Sequence, residues 1–242
     1  KPVFEFTKGM REMTTSYCPG CTHGIAHRLI MEVLEEKGAL GNAIGVSPVG
    51  CSIGRTSHER GHDGIPARKS SSRSIRHQES SSEFLCIYIS GRRRPGLHRN
   101  GRDHPCSHRG EKFCTFFINN AIFGMTGGQM APTTLEGMPR YLPYGRNIAL
   151  NGYPLKIGDL LAQLEGTCLV TRQSVQTAAA VRKAKKMLRK AFENAMAGKG
   201  TSVVEFVSTC SSGWKMTPEK ANKWMEANMF PFYPLGDLKN VE

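Results

Sequence analysis

No stretch of this chain approaches the roughly 18 consecutive apolar residues that crossing a bilayer demands, so a membrane span is excluded from the reading. The start, Lys1-Pro2-Val3-Phe4-Glu5, lacks the apolar core of a secretory signal. Cysteine is sparse as well. Eight in 242 residues is far too few for a secreted disulfide scaffold. The expectation is a cytoplasmic protein, where thiols stay reduced and clustered cysteines favour metal. Acidic residues are scarce, 20 against 33 lysines and arginines, for a net charge of +13. Hydrophobic residues make up 39%, low but normal for a globular chain long enough to bury a core.

Such a charge ordinarily points to nucleic acid or another anion. Its distribution argues otherwise. Between Gly54 and Arg109 stand twelve basic and only five acidic residues, about half of the excess, together with six of the eight histidines. That stretch carries Ser70-Ser71-Ser72, Ser80-Ser81-Ser82 and Arg92-Arg93-Arg94, and has almost no periodicity. By composition it is a basic, poorly ordered insert in which only Phe84 to Ile89 resembles a strand.

What the chain does have is Tyr17-Cys18-Pro19-Gly20-Cys21. Proline fixes one φ and glycine relieves the turn, so two sulfurs can face one point. Cys51, after Pro48-Val49-Gly50, and Cys210, after Ser208-Thr209, are candidates to complete a four-thiolate site. Four thiolates suit a [4Fe–4S] cluster or a zinc ion, and the pair alone is also the spacing of a redox dithiol or a disulfide.

Outside the basic stretch the pattern is that of an α/β protein. Gly24 to Glu36 reads as an amphipathic helix with Ile25, Leu29, Ile30, Val33 and Leu34 on its apolar side, ended by Gly38 and Gly41. Ala43 to Val46, Phe113 to Ile118, Cys168 to Thr171 and Ser202 to Val207 read as buried strands. Ile157 to Leu164 reads as a short helix. Val175 to Met196 reads as a long one with Ala179, Val181, Met187 and Leu188 inward. Strands alternating with helices predict a mostly parallel sheet, with ligands beyond the carboxyl ends of its strands. Gly50-Cys51, Asn119-Asn120 and Cys210 all follow strand candidates and are expected on one rim.

The flanks of the basic stretch resemble the β subunit of 2-oxoacid:ferredoxin oxidoreductases, nearest the 2-oxoisovalerate and 2-oxoglutarate branches. The residues that carry the likeness are Tyr17 to Gly24, Gly45 to Ser52 and, most specifically, Phe117-Ile118-Asn119-Asn120-Ala121-Ile122-Phe123-Gly124-Met125-Thr126-Gly127-Gly128-Gln129. Pro143 to Arg146, Gly152 to Pro154 and Phe230 to Gly236 also fit. The resemblance implies a thiamine diphosphate-binding α/β fold with a disrupted middle segment. It spans 1–242 as a single domain, with residues 200–242 closing over the cluster. It implies thiamine diphosphate held through Mg²⁺, and a [4Fe–4S] cluster on Cys18, Cys21, Cys51 and Cys210. Asn120 would offer Mg²⁺ its amide oxygen and Ile122 its carbonyl. Gly50, Cys51, Ser52, Gly124, Met125 and Thr126 would line the diphosphate and thiazolium. The implied activity is oxidative decarboxylation of a 2-oxoacid to acyl-coenzyme A, with electrons passing to ferredoxin. The implied partners are an α subunit, with γ and δ subunits in some complexes.

One element of that pattern is missing. The Gly-Asp-Gly-Asp whose aspartate binds Mg²⁺ should lie upstream of Asn120, where the chain reads Ser90-Gly91-Arg92-Arg93-Arg94-Pro95-Gly96. Arginines cannot hold a cation. Written as TCA GGG CGA CGG CGA CCT GGC and read from the second nucleotide, the same stretch gives Gln-Gly-Asp-Gly-Asp-Leu. The same offset turns Lys69 to Glu79 into a stretch that resembles the family segment expected there, and Leu97 to Ser107 into a credible helix. Residues 53–108 are therefore expected to be an out-of-frame translation, with no evolved role for their histidines and arginines. The rival expectation is a zinc-binding, nucleic-acid-binding protein built on the same thiolates and the basic stretch. It leaves Asn119 to Met125 unexplained.

Overall fold

The computed structural model describes residues 5–10, 17–40, 43–46, 51, 85–91, 112–138 and 145–241, the strands 43–46 and 85–91 chiefly by their backbone. Eight strands are described: β1 (Ala43–Val46), β2 (Leu85–Gly91), β3 (Cys114–Asn119), β4 (Ile122–Phe123), β5 (Gln129–Met130), β6 (Thr167–Ser174), β7 (Thr201–Val207) and β8 (Gly236–Asn240). Six form one sheet in the order β1-β2-β3-β7-β6-β8, and β4 and β5 make a small hairpin. Every pairing from β1 to β6 is parallel, and only β8 runs antiparallel, at the edge beside β6. β6 and β7 are buried along their whole length, as both-face-covered parallel strands must be. β2 falls inside the basic stretch, at its one apolar run.

Helix His23–Glu36 forms because Ala26, Leu29, Ile30, Val33 and Leu34 recur on one side and are buried there. It ends at Gly38, whose φ of 64° lets the Ala39 N–H fold back to the Leu34 carbonyl at 2.9 Å. The long helix is Ala178–Met196, started by the Thr177 hydroxyl accepting from the Ala180 N–H. Its core side is Ala184, Leu188, Ala191, Phe192 and Ala195, with the Phe192 ring 5.4 Å from that of Phe116 on β3. Ala179, expected inward, is exposed. Residues 175 and 176 lie before the helix, and β6 extends to Ser174, so the inward stripe starts a turn later. A second apolar cluster gathers Ala121, Ile122, Leu135, Val207, Cys210, Trp214, Met225, Met229 and Tyr233 under the C-terminal segment.

The two helices are joined by ion pairs. Arg189 Nε donates to Glu36 Oε2 at 2.7 Å, and Lys185 Nζ stands 2.8 Å from Glu36 Oε1. The hydrogen bond from Arg189, aided by Lys185 and opposed by burial, holds the Glu36 carboxyl at about 2 against an ordinary 4.5. A carboxyl with a depressed native pKa stabilises fully above its unfolded value and loses that contribution as pH falls through the native one. Glu36→Gln should therefore lower the melting temperature at neutral pH. The gap to the parent should close as melts are taken from pH 4.5 down to about 2.

Candidate active-site rim

Because β1, β2, β3, β7 and β6 share one direction, their carboxyl ends form a single rim, where ligands of such sheets bind. The segments after β3 and β7 and the Cys18–Cys21 turn meet there. The turn is closed by Cys21 N–H donating to Cys18 O at 3.0 Å, and Gly20 takes the left-handed φ of 73° it requires. Thr209 Oγ1 donates to Gly20 O at 3.3 Å, and the hydroxyls of Thr22 and Ser208 are hydrogen-bonded. A Cβ on Gly20 would strike Pro218. Cys18 is exposed, Cys21 and Cys51 are half-buried, and Cys210 is buried. The Cys21 sulfur lies 3.1 Å from His23 Nδ1, and the Tyr17 ring stacks on that imidazole.

β3 ends in Asn119 and Asn120, both buried. Ser208 N–H donates to Asn119 O at 2.8 Å, binding the ends of β3 and β7 together. Ala121 follows with φ 57°, a left-handed conformation that costs an alanine roughly 1–2 kcal/mol and is therefore enforced by its surroundings. The enforcement is visible. Ala121 N–H donates to Asn119 Oδ1 at 3.2 Å, Thr134 Oγ1 donates to Ala121 O, and Trp214 Nε1 donates to Asn120 O at 3.2 Å. Trp214 N–H in turn donates to Cys210 O at 2.7 Å, so one tryptophan links the asparagine turn to the cysteine. Gly124 to Thr126 form a single 3-10 turn with Met125 and Thr126 exposed on the surface. Gly50 and Ser52 lie outside the described residues.

Beneath the rim is a buried ionic layer that the strand and motif patterns did not foretell. Arg172 and Glu205 are register partners on β6 and β7, and Arg172 Nε donates to Glu205 Oε2 at 2.8 Å. Arg172 Nη2 reaches Asp159 Oδ2 at 2.6 Å, and Asn119 Nδ2 donates to Glu205 Oε1 at 2.8 Å. Burial alone would lower the Arg172 pKa; Glu205 and Asp159 outweigh it and push it up. Tyr233 lies beside them, its phenol pushed upward by burial and by the Glu205 charge, and it donates to Thr133 O at 2.8 Å. A signal does exist in the sequence: each is the one charge in an otherwise uncharged strand, and the two are opposite in sign.

Among the described residues no three His, Cys, Asp or Glu side chains stand close enough to hold an ion as placed. The donor chemistry nevertheless fits an iron–sulfur cluster. Cys210 is held against the Cys18–Cys21 turn through Thr209. Gly213 leaves room beside its sulfur, where a Cβ would come within 2.9 Å. The buried Ser211 hydroxyl has no hydrogen-bond partner among the described residues. For magnesium the fit is short of one ligand. The resemblance implies the neutral oxygens of Asn120 and Ile122 as ligands together with a carboxylate, and where that carboxylate is expected the sequence has arginine.

The chain is 31% identical over 240 residues to the ketoisovalerate oxidoreductase subunit VorA of Methanothermobacter thermautotrophicus, and 33% identical over 246 residues to that of Methanothermobacter marburgensis. Each match takes in 98% of this chain and 50% of the relative, so the chain spans about half the length of these curated relatives. The 2-oxoglutarate synthase subunit KorB of Archaeoglobus fulgidus is 27% identical over 220 residues, 89% of this chain and 77% of that protein. Among solved structures, a 2-oxoglutarate:ferredoxin oxidoreductase from Magnetococcus marinus superposes with a TM-score of 0.69 at 19% identity, over 87% of this chain and 69% of that one. No family model matches. The class is thus an α/β domain of the thiamine diphosphate type, a mostly parallel sheet flanked by helices. Over almost its whole length the chain is similar to subunits of 2-oxoacid oxidoreductases.

Proposed function

We propose that this chain is the β-type part of a 2-oxoacid:ferredoxin oxidoreductase, acting in the cytoplasm with an α subunit, and with γ and δ subunits where the complex has them. It oxidatively decarboxylates a 2-oxoacid to acyl-coenzyme A and passes electrons to ferredoxin. Thiamine diphosphate supplies the decarboxylation chemistry and a [4Fe–4S] cluster the one-electron transfer. The chain's own part is binding and exclusion of water. Cys18, Cys21, Cys51 and Cys210 hold the cluster, and residues 200–242 close over it. Gly50, Cys51, Ser52, Gly124, Met125 and Thr126 would line the diphosphate and thiazolium, where close main-chain approach favours glycine. Asn120 Oδ1 and the Ile122 carbonyl are the oxygens offered to its metal. The observation that carries this reading is the junction of the Cys18–Cys21 turn, Cys210 and Asn120 through Thr209, Ser208 and Trp214. Among the described residues no helix is long and apolar enough to cross a membrane.

The missing carboxylate is part of the proposal. β2 ends at Gly91, which pairs with Ile118 next to the Asn119-Asn120 turn. The shifted frame begins its Gly-Asp-Gly-Asp at that same glycine. Residues 53–108 are accordingly proposed to be out of frame. Sequencing the gene across codons 50 to 112 decides this: an intact open frame whose codons cannot yield Gly-Asp-Gly-Asp removes it.

The function is tested on the complex co-expressed with its partner subunits. About four iron and four sulfide per chain are expected, and Cys210→Ser should bring both below about one while the subunits stay assembled. Zinc in place of iron, with salt-sensitive DNA or RNA affinity, would favour the nucleic-acid reading instead.

A further inference from the structure

The loop from Arg146 to Tyr153 is turned inside out. Its polar side chains are spent on holding backbone. Buried Arg146 donates to Asn151 O and Gly152 O at 3.0 and 2.8 Å, and also to Ala131 O and Pro132 O at 2.8 and 3.1 Å. Asn147 Oδ1 accepts from the N–H groups of Ala149 and Leu150 at 2.9 and 3.2 Å, and Asn151 Oδ1 accepts from the Asn147 N–H at 3.1 Å. Leu155 N–H closes the far end on Pro132 O at 2.9 Å. On this fixed backbone Leu150 is 83% exposed and Tyr153 78%, more than any other large apolar side chain described. Between Gly145 and Leu155 the one charge is Arg146, and it is buried. Scant charge and a projecting aromatic are what the centre of a protein interface has, not what an ordinary wet loop has.

We propose that Leu150 and Tyr153 are anchors that dock a companion polypeptide of the same complex, the region corresponding to the other half of the VorA relatives, through an apolar pocket on it. The inference rests on the subunit reading above and on no cofactor. Each VorA relative matches 98% of this chain with 50% of its own length, so it carries about as much chain again beside the matched half. Contacts between such domains bury roughly 600–1,500 Å², and a few aromatic or apolar anchors at their centre carry most of the binding. What the loop contributes is preorganisation. Arg146, Asn147 and Asn151 order its backbone within this chain alone, so docking has only two side chains left to immobilise. The loop is braced on the segment after β3 as well: Arg146 Nε donates to Thr134 O at 2.6 Å, and Thr134 Oγ1 donates to Ala121 O.

The test uses the co-expressed complex. With Tyr153 replaced by the photo-crosslinker benzoylphenylalanine, mass spectrometry of irradiated complex should find the crosslinked peptide on the companion region. Leu150→Ala and Tyr153→Ala should each raise the Kd between this chain and its companion about tenfold or more, and Leu150→Asp with Tyr153→Asp about a hundredfold or more. Both side chains stand in water in this chain, so the far-ultraviolet circular dichroism should not change with any of them. Met196→Asp, an exposed apolar residue at the end of helix Ala178–Met196, should leave the Kd unmoved. Crosslinks to a second copy of this chain, or none at all, would overturn the proposal. So would a double aspartate variant that assembles like the parent, or a Met196→Asp that weakens assembly as much. A parent chain that associates with no companion overturns the subunit reading, and this inference with it.

Discussion

Arg172→Met is expected to cost about 3–5 kcal/mol of folding stability, the characteristic loss when one partner is stripped from a buried ion pair. Arg172 is fully buried and Glu205 only 1% exposed. With the guanidinium gone, the Glu205 carboxylate keeps only the Asn119 amide as a donor, in a place where water cannot reach it. The methionine replaces the volume and not the charge, so the penalty is electrostatic. Asp159 contributes little to it, because its side chain is 43% exposed and can rehydrate. For a domain of this size the loss corresponds to a fall in melting temperature of roughly 6–20 °C. Adding Glu205→Leu to Arg172→Met should recover much of the stability, since apolar replacement of a whole buried pair is often neutral. It should not restore the asparagine turn in full, because Asn119 Nδ2 loses the carboxylate that accepts from it. Chemical denaturation of the three proteins checks both the loss and the recovery. A single mutant within about 1 kcal/mol of the parent in that denaturation would mean the pair is not held dry.

The elements were legible where local chemistry decides them. Strands β6 and β7 are unbroken runs of buried residues, β3 is one apart from half-buried Thr115, and helix His23–Glu36 has its glycine stop and its apolar stripe in plain order except for Ile25, which is exposed. The Cys-Pro-Gly-Cys turn announced itself by its residues, and the Asn119–Gly128 motif by its resemblance to a known family. β8 did not: Gly236-Asp237-Leu238-Lys239-Asn240 has one apolar residue, and it is a strand because β6 presents an open edge to it. Ala179 escapes the pattern because alanine suits either side of a helix, and only packing against the sheet decides which faces inward. The supporting layer was the least legible part. Arg172 and Glu205 are 33 residues apart, and Asn119 is 86 from Glu205. Their meeting depends on strand order, which places β7 between β3 and β6. A lone charge in a buried strand is a recognisable oddity in sequence, but its partner is chosen by topology.

Topology also explains why one more arginine should matter as much as Arg172. Arg146 is 5% exposed and all five of its N–H groups are used. Nε donates to Thr134 O at 2.6 Å, Nη1 to Asn151 O and Gly152 O at 3.0 and 2.8 Å, and Nη2 to Ala131 O and Pro132 O at 2.8 and 3.1 Å. One guanidinium thus ties residues 131–134 to residues 151–153 through main-chain carbonyls alone. Burial lowers its pKa from the ordinary arginine value, but a guanidinium retains its charge at any pH the fold survives. Some of these carbonyls have a second donor: Thr134 N–H reaches Ala131 O, and Leu155 N–H reaches Pro132 O. Arg146→Met should therefore cost about 3–4 kcal/mol, two charge-assisted bonds' worth and not five. Arg146→Lys should recover little of it, because a single ammonium cannot span two segments of carbonyls lying in the plane of a fork. The loss should not stay local. Thr134 donates its hydroxyl to Ala121 O, so loosening residues 131–134 removes one of the clamps on the left-handed turn. Thermal melts should show the stability loss in both variants. An Arg146→Met protein within about 1 kcal/mol of the parent would mean that other donors already satisfy these carbonyls.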